Sequence, residues 1–402
     1  MSKVEDYPSY RWAILAVSWI CMFILSFGWY LMPSLSFRLP DLYGITKAQY
    51  NLTLTFPFLI AGILCIPGGM LADTLGIRKS VTISMIFGAL GFFGRGNLAG
   101  GFPFLLFSMA GVGIAMGLMF PNIPKMVSAW FPPKQAGFAS GIFTTGMFVG
   151  IASGMATATY FPDWVITTII LGILVLISSI VFYAIARDAP SSKEIPSPNL
   201  LDGLRAGLKS RTVWAAAIAA FAAFGGMVCF INTYPVAVAS EFKLSPEIGG
   251  ILGALITYLG IPGSLGLPLL TKKIGRKTLL IAVGLITGIG IIIPWLLAVT
   301  NPIWLVVGVI IAGLGGGGLP PLVLEIPVLL PSIEGDPVQE EHVGGASALI
   351  TSLLQFGGFF CLPFIVQPII SVAGYTMGYT VAAILFGSLA GFALLFNYPK
   401  DM

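Results

Sequence analysis

Twelve stretches of about 20 apolar residues, each nearly free of charge, follow one another along this chain, and a polymer so patterned is built for a lipid bilayer. The stretches begin near Trp12, Asn51, Ser80, Phe102, Gly137, Trp164, Val213, Ile248, Thr278, Ile303, Val343 and Met377. Connections such as Phe161-Pro162-Asp163 and Asn301-Pro302 leave room only for an antiparallel return. Unbroken apolar runs of this length lack the alternation a lipid-facing strand requires, so the expected fold class is all-α membrane protein, with twelve spanning helices. Composition agrees. Charged residues are 9% of the chain, whereas a water-exposed domain carries roughly a quarter. The formal charge of +4 is too small and dispersed to address nucleic acid. Cys21, Cys65, Cys229 and Cys361 each stand alone in an apolar run, which points to packing rather than a metal or a disulfide. No metal and no cofactor are expected.

Basic residues set the expected orientation. With the N-terminus on the cytoplasmic side and every span crossing, only Arg38, Lys47, Arg95 and Lys243 of the 20 Lys and Arg fall outside, as the positive-inside rule requires. The opening MSKVEDYPSYR then reads as a cytoplasmic tail before a retained first helix, and both termini are placed inside, in a bacterial or archaeal inner membrane. One loop dissents, because Glu334, Asp336, Glu340 and Glu341 make the connection before the eleventh span acidic, though acids weigh little in topology.

The longest polar connection, from Arg187 to Arg211, separates six spans from six. The expected domains are therefore 1–186, an N-terminal six-helix bundle; 187–212, a cytoplasmic linker; and 213–402, a C-terminal six-helix bundle. Ordered matches link the halves: Gly76-Ile77-Arg78-Lys79 with Gly275-Arg276-Lys277, Ala110-Gly111-Val112-Gly113 with Ala312-Gly313-Leu314-Gly315, and Gly137-Phe138-Ala139-Ser140 with Gly344-Gly345-Ala346-Ser347. Their offsets drift in one direction, as insertions in loops after an internal duplication would make them.

Between the second and third spans the chain reads Gly69-Met70-Leu71-Ala72-Asp73-Thr74-Leu75-Gly76-Ile77-Arg78-Lys79. This resembles the G-x-L-a-D-r-x-G-r-k signature of the major facilitator superfamily, with Thr74 and Ile77 replacing residues that are commonly basic. A weaker copy follows span eight, with Lys272 in the place of the acid, and Trp130-Phe131-Pro132-Pro133 is similar to the family's fourth cytoplasmic turn. The resemblance implies two pseudo-symmetric six-helix bundles around a central cavity, alternating access, and a chain that works as a monomer. It also implies that Asp73, flanked by Arg78 and Lys79, ties to the start of span eleven near Gly344 when the cytoplasmic side closes. Anchoring of the loop at the interface is the plainer role for the same three residues.

Absences narrow the substrate. Residues 51–71 and 248–270, in spans two and eight, hold no Arg or Lys, which by the resemblance speaks against nitrate, nitrite and oxalate carriers. Span five lacks the Gly-Pro pair of the family's drug antiporters, and Phe107 stands where many proton-driven members keep an Arg in span four. Charges at depth are few. An unpaired one costs about 2.5 to 3.5 kcal/mol at mid-membrane, so Lys125 and Glu325, at matching depth in the two halves, invite pairing as a cytoplasmic gate, with Glu325 a candidate carrier of a coupling proton. Snorkelling of both to water is the bland alternative. Arg95 is expected to snorkel outward, or else to face an external vestibule and attract anions, and His342 to sit solvated in the acidic loop.

Candidate cavity residues are the polar or aromatic groups well inside spans that line the cavity in such a fold: Trp29 and Tyr30, Asn122, Thr144 and Thr145, Asn232 and Tyr234, Tyr258, and Gln355. Each has a competing fate as a bond to a neighbouring helix. The run Gly315-Gly316-Gly317-Gly318 lies in a span with no preceding strand, so it reads as close packing or local unwinding and not as a phosphate loop. A membrane-embedded enzyme would need a reactive polar constellation at depth, a receptor would not need duplicated bundles, and no Walker sequence supports ATP-driven transport. The expected function is secondary transport of a small organic solute, monocarboxylate-like, neutral or zwitterionic, with a proton as candidate coupling ion. Export of amphipathic drugs or lipid-like compounds is the alternative.

Overall fold

The computed structural model describes residues 9–187, 200–298, 300–333 and 335–395. The side chains of Asp73, Lys125 and Lys272 are among several inside helices that lie outside the described residues. Ten long helices follow the apolar runs directly: α1 (Arg11–Ser34), α2 (Lys47–Leu75), α3 (Ile77–Arg95), α4 (Gly101–Trp130), α5 (Pro133–Thr157), α6 (Trp164–Ile185), α7 (Arg211–Glu241), α8 (Pro246–Ile274), α9 (Arg276–Leu297) and α10 (Ile303–Leu324). The remaining apolar stretch, Glu340–Leu394, is 55 residues long, too long for one crossing. It divides at Gly374, whose φ of 78° and ψ of 175° only glycine adopts readily. Residues 343–373 form α11 and residues 375–394 form α12, which completes twelve spans. Within α11, Pro363 withholds a backbone donor and the helix widens into a π turn at Leu362–Val366.

Helix starts are capped by polar side chains that precede the apolar runs. Thr46 and Gln49 form a capping box at α2, and Ser245, at the equivalent place 199 residues on, accepts from the Ile248 N–H at α8. Asp163 and Ser210 cap α6 and α7 in the same way. The turns that follow α2 and α8 are also a pair. Gly76 (φ 85°, ψ 151°) and Gly275 (φ 76°, ψ 148°) share one conformation, closed to other residues without strain.

Packing repeats with a period of six helices. In the first half α1 lies on α5 and α6, α2 on α4, and α3 on α4 and α6; in the second, α7 lies on α11 and α12, α8 on α10, and α9 on α10 and α12. Each half buries its own apolar core. The two bundles meet along α2 against α11 and α5 against α8, seams that the pseudo-twofold exchanges. Inside the bundles, backbones touch. A Cβ at Gly146, Gly150 or Gly154 of α5 would strike the carbonyl oxygens of Trp19, Phe23 and Phe27 on α1, and one at Gly357 of α11 would strike Phe221 O of α7. Gly315 to Gly318 pack likewise against Thr287, Met227, Gly260 and Leu267, with α10 helical throughout, so this run serves close approach and does not unwind.

Between α6 and α7 a short helix, Leu200–Lys209, lies against the start of α11, with Gly203 beside Gly345 and Gly207 beside Ala346. We call the end of the molecule that carries this helix, Gly76 and Gly275 the linker face, and the opposite end the far face.

Candidate translocation site at the bundle boundary

Among the described residues, side-chain hydrogen bonds between the bundles lie only in the half nearer the far face. Asn51 Nδ2 donates to Gln367 Oε1 at 2.6 Å, joining α2 to α11. Ser153 Oγ and the Tyr258 hydroxyl are 3.0 Å apart, joining α5 to α8. Tyr30 of α1 and Asn232 of α7, both buried, are neighbours across the same boundary, the Asn232 amide donating to Val228 O of its own helix at 2.9 Å. The π turn just before Gln367 sets the face of α11 on which that amide emerges.

Toward the linker face the boundary becomes aromatic. Phe58 meets Phe224 edge to face at 5.6 Å, Phe56 meets Phe359 at 6.2 Å, and Gly62 lies under Phe356 and Gln355. Farther along, a Cβ at Gly141 would still reach Leu265, whereas beside Gly266 and Gly344 no described atom lies within that reach. Among the described residues, the boundary is thus clasped by polar bonds at one end, lined by rings at mid-depth, and more open beside Gly266 and Gly344 at the other.

Four of the nine candidate cavity residues, Tyr30, Asn232, Tyr258 and Gln355, stand on this boundary. Trp29 is one layer behind, its Nε1 donating to Leu54 O and its ring on Phe58. Thr144 bonds Ser140 O within α5, and Thr145 receives the Trp19 indole N–H at 3.0 Å, a tie between α5 and α1. Asn122 and Tyr234 lie inside their own bundles. The Asn122 amide donates to Gly68 O and Ser80 Oγ, both at 3.1 Å, and fastens α4 to α2 and α3. Tyr234 donates to Leu305 O of α10 among Phe230 and Trp295.

The charged candidates whose side chains are described make no bond to the other bundle. Glu325, at the end of α10, pairs with Arg276 at the start of α9 at 2.8 Å. Its expected counterpart, the Lys125 side chain, lies outside the described residues, as does that of Asp73. Arg78 donates twice to Tyr183 O and lies 4.0 Å above the Tyr183 ring, while Lys79 is exposed. Lys277, the counterpart of Arg78, donates to Leu394 O. In both halves a cation from the glycine turn thus meets the carbonyl end of the last helix, where a helix dipole favours positive charge. His342 accepts the Gln339 N–H in the acidic loop.

Arg95 corrects the expectation of snorkelling. Its side chain is fully buried, Nη1 donates to Gly28 O at 3.0 Å, and the guanidinium lies over Phe92 at 4.1 Å and near Trp164 at 5.7 Å. The Tyr43 hydroxyl donates to Arg95 O and accepts from Trp164 Nε1, so an aromatic collar surrounds the charge. Snorkelling gives way because α3 ends against α1 and α6, and the rings supply partial compensation for lost water.

Residues missed by the sequence reading include Asn51, Ser153 and Gln367. With Tyr50, Asn232 and Lys47, Asn51 and Gln367 line a far-face recess of about 40 Å³ between the bundles. Lone amides near span ends were the available signal.

Twelve spans in two six-helix bundles, meeting along two exchangeable seams with a polar clasp at one end, define a multi-pass helical membrane protein of the paired-bundle class. The chain belongs to the Major Facilitator Superfamily, which its residues 18–362 match. It is similar to a probable nitrate/nitrite transporter of Mycobacterium tuberculosis, NarK2, at 26% identity over 59% of this chain; the match spans 60% of that protein's length. It is also 28% identical to the D-galactonate transporter of an Escherichia coli strain over 43% of this chain and 40% of that one, and 34% identical to the probable galactarate/D-glucarate transporter GarP of Escherichia coli over 22% of this chain and 21% of that one. Among solved structures, a bacterial homolog of the human lysosomal transporter Spinster, inward-facing and unoccupied, superposes with a TM-score of 0.72 at 16% identity, covering 96% of this chain and 95% of that one.

Proposed function

We propose that this transporter carries a small organic anion, held at the bundle boundary by uncharged hydrogen-bonding groups and moved by rocking of the two bundles. The observation that carries the reading is the Tyr30 and Asn232 contact, which sets a phenol and an amide from opposite bundles against each other where the polar clasp gives way to rings. Such groups suit the hydroxyls and the carboxylate of a sugar acid, and similarity to the D-galactonate and galactarate/D-glucarate transporters supports this class. The absence of Arg and Lys from residues 51–71 and 248–270 weighs against a bare inorganic anion, which needs a fixed charge in place of its hydration.

In this reading the linker face is cytoplasmic, in keeping with the distribution of Lys and Arg. Bundles 1–186 and 213–402 rock against each other, the far-face clasp parting as the linker face closes, and Asp73 meets the start of α11 on that closure. The test is uptake by the purified protein in proteoliposomes of labelled D-galactonate, D-glucarate and nitrate, at two pH values. Accumulation of a sugar acid, lost in Asn232→Leu and unaffected by excess nitrate, is the expected result. Uptake of nitrate alone would overturn the substrate assignment.

A further inference from the structure

We infer that the far-face recess is a first-contact site for the anionic solute, in which Lys47 supplies the charge and the Asn51 amide is the donor that the solute captures from Gln367. This rests on the anion reading above. The recess is walled from both bundles almost wholly by hydrogen-bonding side chains, among them Lys47, Tyr50 and Asn51 on one side and Asn232, Gln367 and Tyr375 on the other. Its volume of about 40 Å³ exceeds the roughly 10 to 15 Å³ that one water needs, and leaves room for a carboxylate head group.

Charge favours an anion on the Lys47 wall. Lys47 is exposed at the first turn of α2, and no described carboxylate forms an ion pair with it. Behind Tyr50 lies the buried Arg95, which acts on Tyr50 electrostatically and whose Nε and Nη2 meet no acceptor among the described residues. A buried charge without a counter-ion projects its field farther than an exposed one. Glu241 stands beside Tyr375 on the opposite wall, so an entering anion is held toward Lys47.

The bond to be broken is placed to respond. Asn51 Nδ2 reaches Gln367 Oε1 at 2.6 Å across the seam, and that oxygen is a neutral acceptor. A carboxylate bridging Lys47 Nζ and Asn51 Nδ2 would make charge-assisted bonds in its place, and removing Gln367 as partner loosens α2 from α11. The solute would thus weaken the clasp that bars its own way.

The experiment compares labelled D-galactonate offered at either face of oriented proteoliposomes, for wild type, Lys47→Gln and Lys47→Arg. We expect Lys47→Gln to raise KM about three- to tenfold for solute at the far face only, with the maximal rate within twofold of wild type. Lys47→Arg restores the far-face KM, and 0.5 M NaCl removes the difference between variants. Unchanged KM in Lys47→Gln, or an equal rise at both faces, overturns the inference. Where wild type carries nitrate in place of D-galactonate, the substrate reading falls and the same comparison with nitrate decides the recess. Carriage of neither anion overturns both.

Discussion

Ser153 Oγ and the Tyr258 hydroxyl stand 3.0 Å apart across the α5 and α8 seam, the twofold counterpart of the seam that Asn51 and Gln367 hold between α2 and α11. Hydrogen bonds between membrane helices contribute about 0.6 kcal/mol on average, enough to bias a two-state carrier without locking it. Tyr258→Phe should therefore shift the population toward far-face opening two- to threefold. Thiol accessibility of a cysteine placed in the far-face half of the boundary reads this directly; unchanged labelling would show that the pair carries no bias.

The Arg276 and Glu325 pair holds α9 to α10 while partly open to water, with side chains 21% and 38% exposed. Its contribution is about 1 kcal/mol or less. Arg276→Gln and Glu325→Gln should each lower Tm by no more than about 2 °C, and the double variant should fall no further than the worse single one. We also expect Glu325→Gln to keep the wild-type pH profile of uptake. A flattened profile would instead make Glu325 a proton carrier.

Arg95 is buried against rings with one described acceptor, and a charge so placed is often replaced by an apolar side chain of similar volume without loss. Arg95→Met should leave Tm in detergent unchanged or raise it, while raising far-face KM for an anion about twofold. A fall of more than about 5 °C would show that the aromatic collar needs its cation.

Glycines in the two bundles are unequal. Gly150→Leu must push α5 off Phe23 O of α1, and overpacking of that kind costs about 1 to 3 kcal/mol or blocks folding. Gly391→Ala, with no described atom within 4 Å of its added carbon, should be neutral. Expression and Tm of the two variants check the contrast.

Helix number and pairing were legible because apolar runs and charge counts report on lipid contact directly, and because Gly76 and Gly275 repeat one turn. Starts were placed late where a polar cap lies outside the apolar run: α2 begins at Lys47 and not Asn51, behind Thr46, and α8 at Pro246 and not Ile248, behind Ser245. The amphipathic helix Leu200–Lys209 escaped because its charges read as linker. Side-chain direction was the harder part. In a helix apolar all round, nothing in the sequence marks the face toward the partner bundle, so Asn122, turned into its own bundle, and Asn232, turned across the boundary, look alike. Asn51 and Gln367 were passed over for the same reason, one as the start of a run and the other as its tail.

Carbonyl oxygens of α1 seated on Gly146, Gly150 and Gly154, and that of Phe221 on Gly357, leave no lubricating layer of side chains between those rods. Sliding would bring a collision at every turn, so each half must pivot as one solid piece. Compliance is confined to the α2–α11 and α5–α8 seams, where rings and amides can re-register, and spectroscopic rulers spanning those joints will lengthen and shorten during turnover while rulers within a half stay fixed.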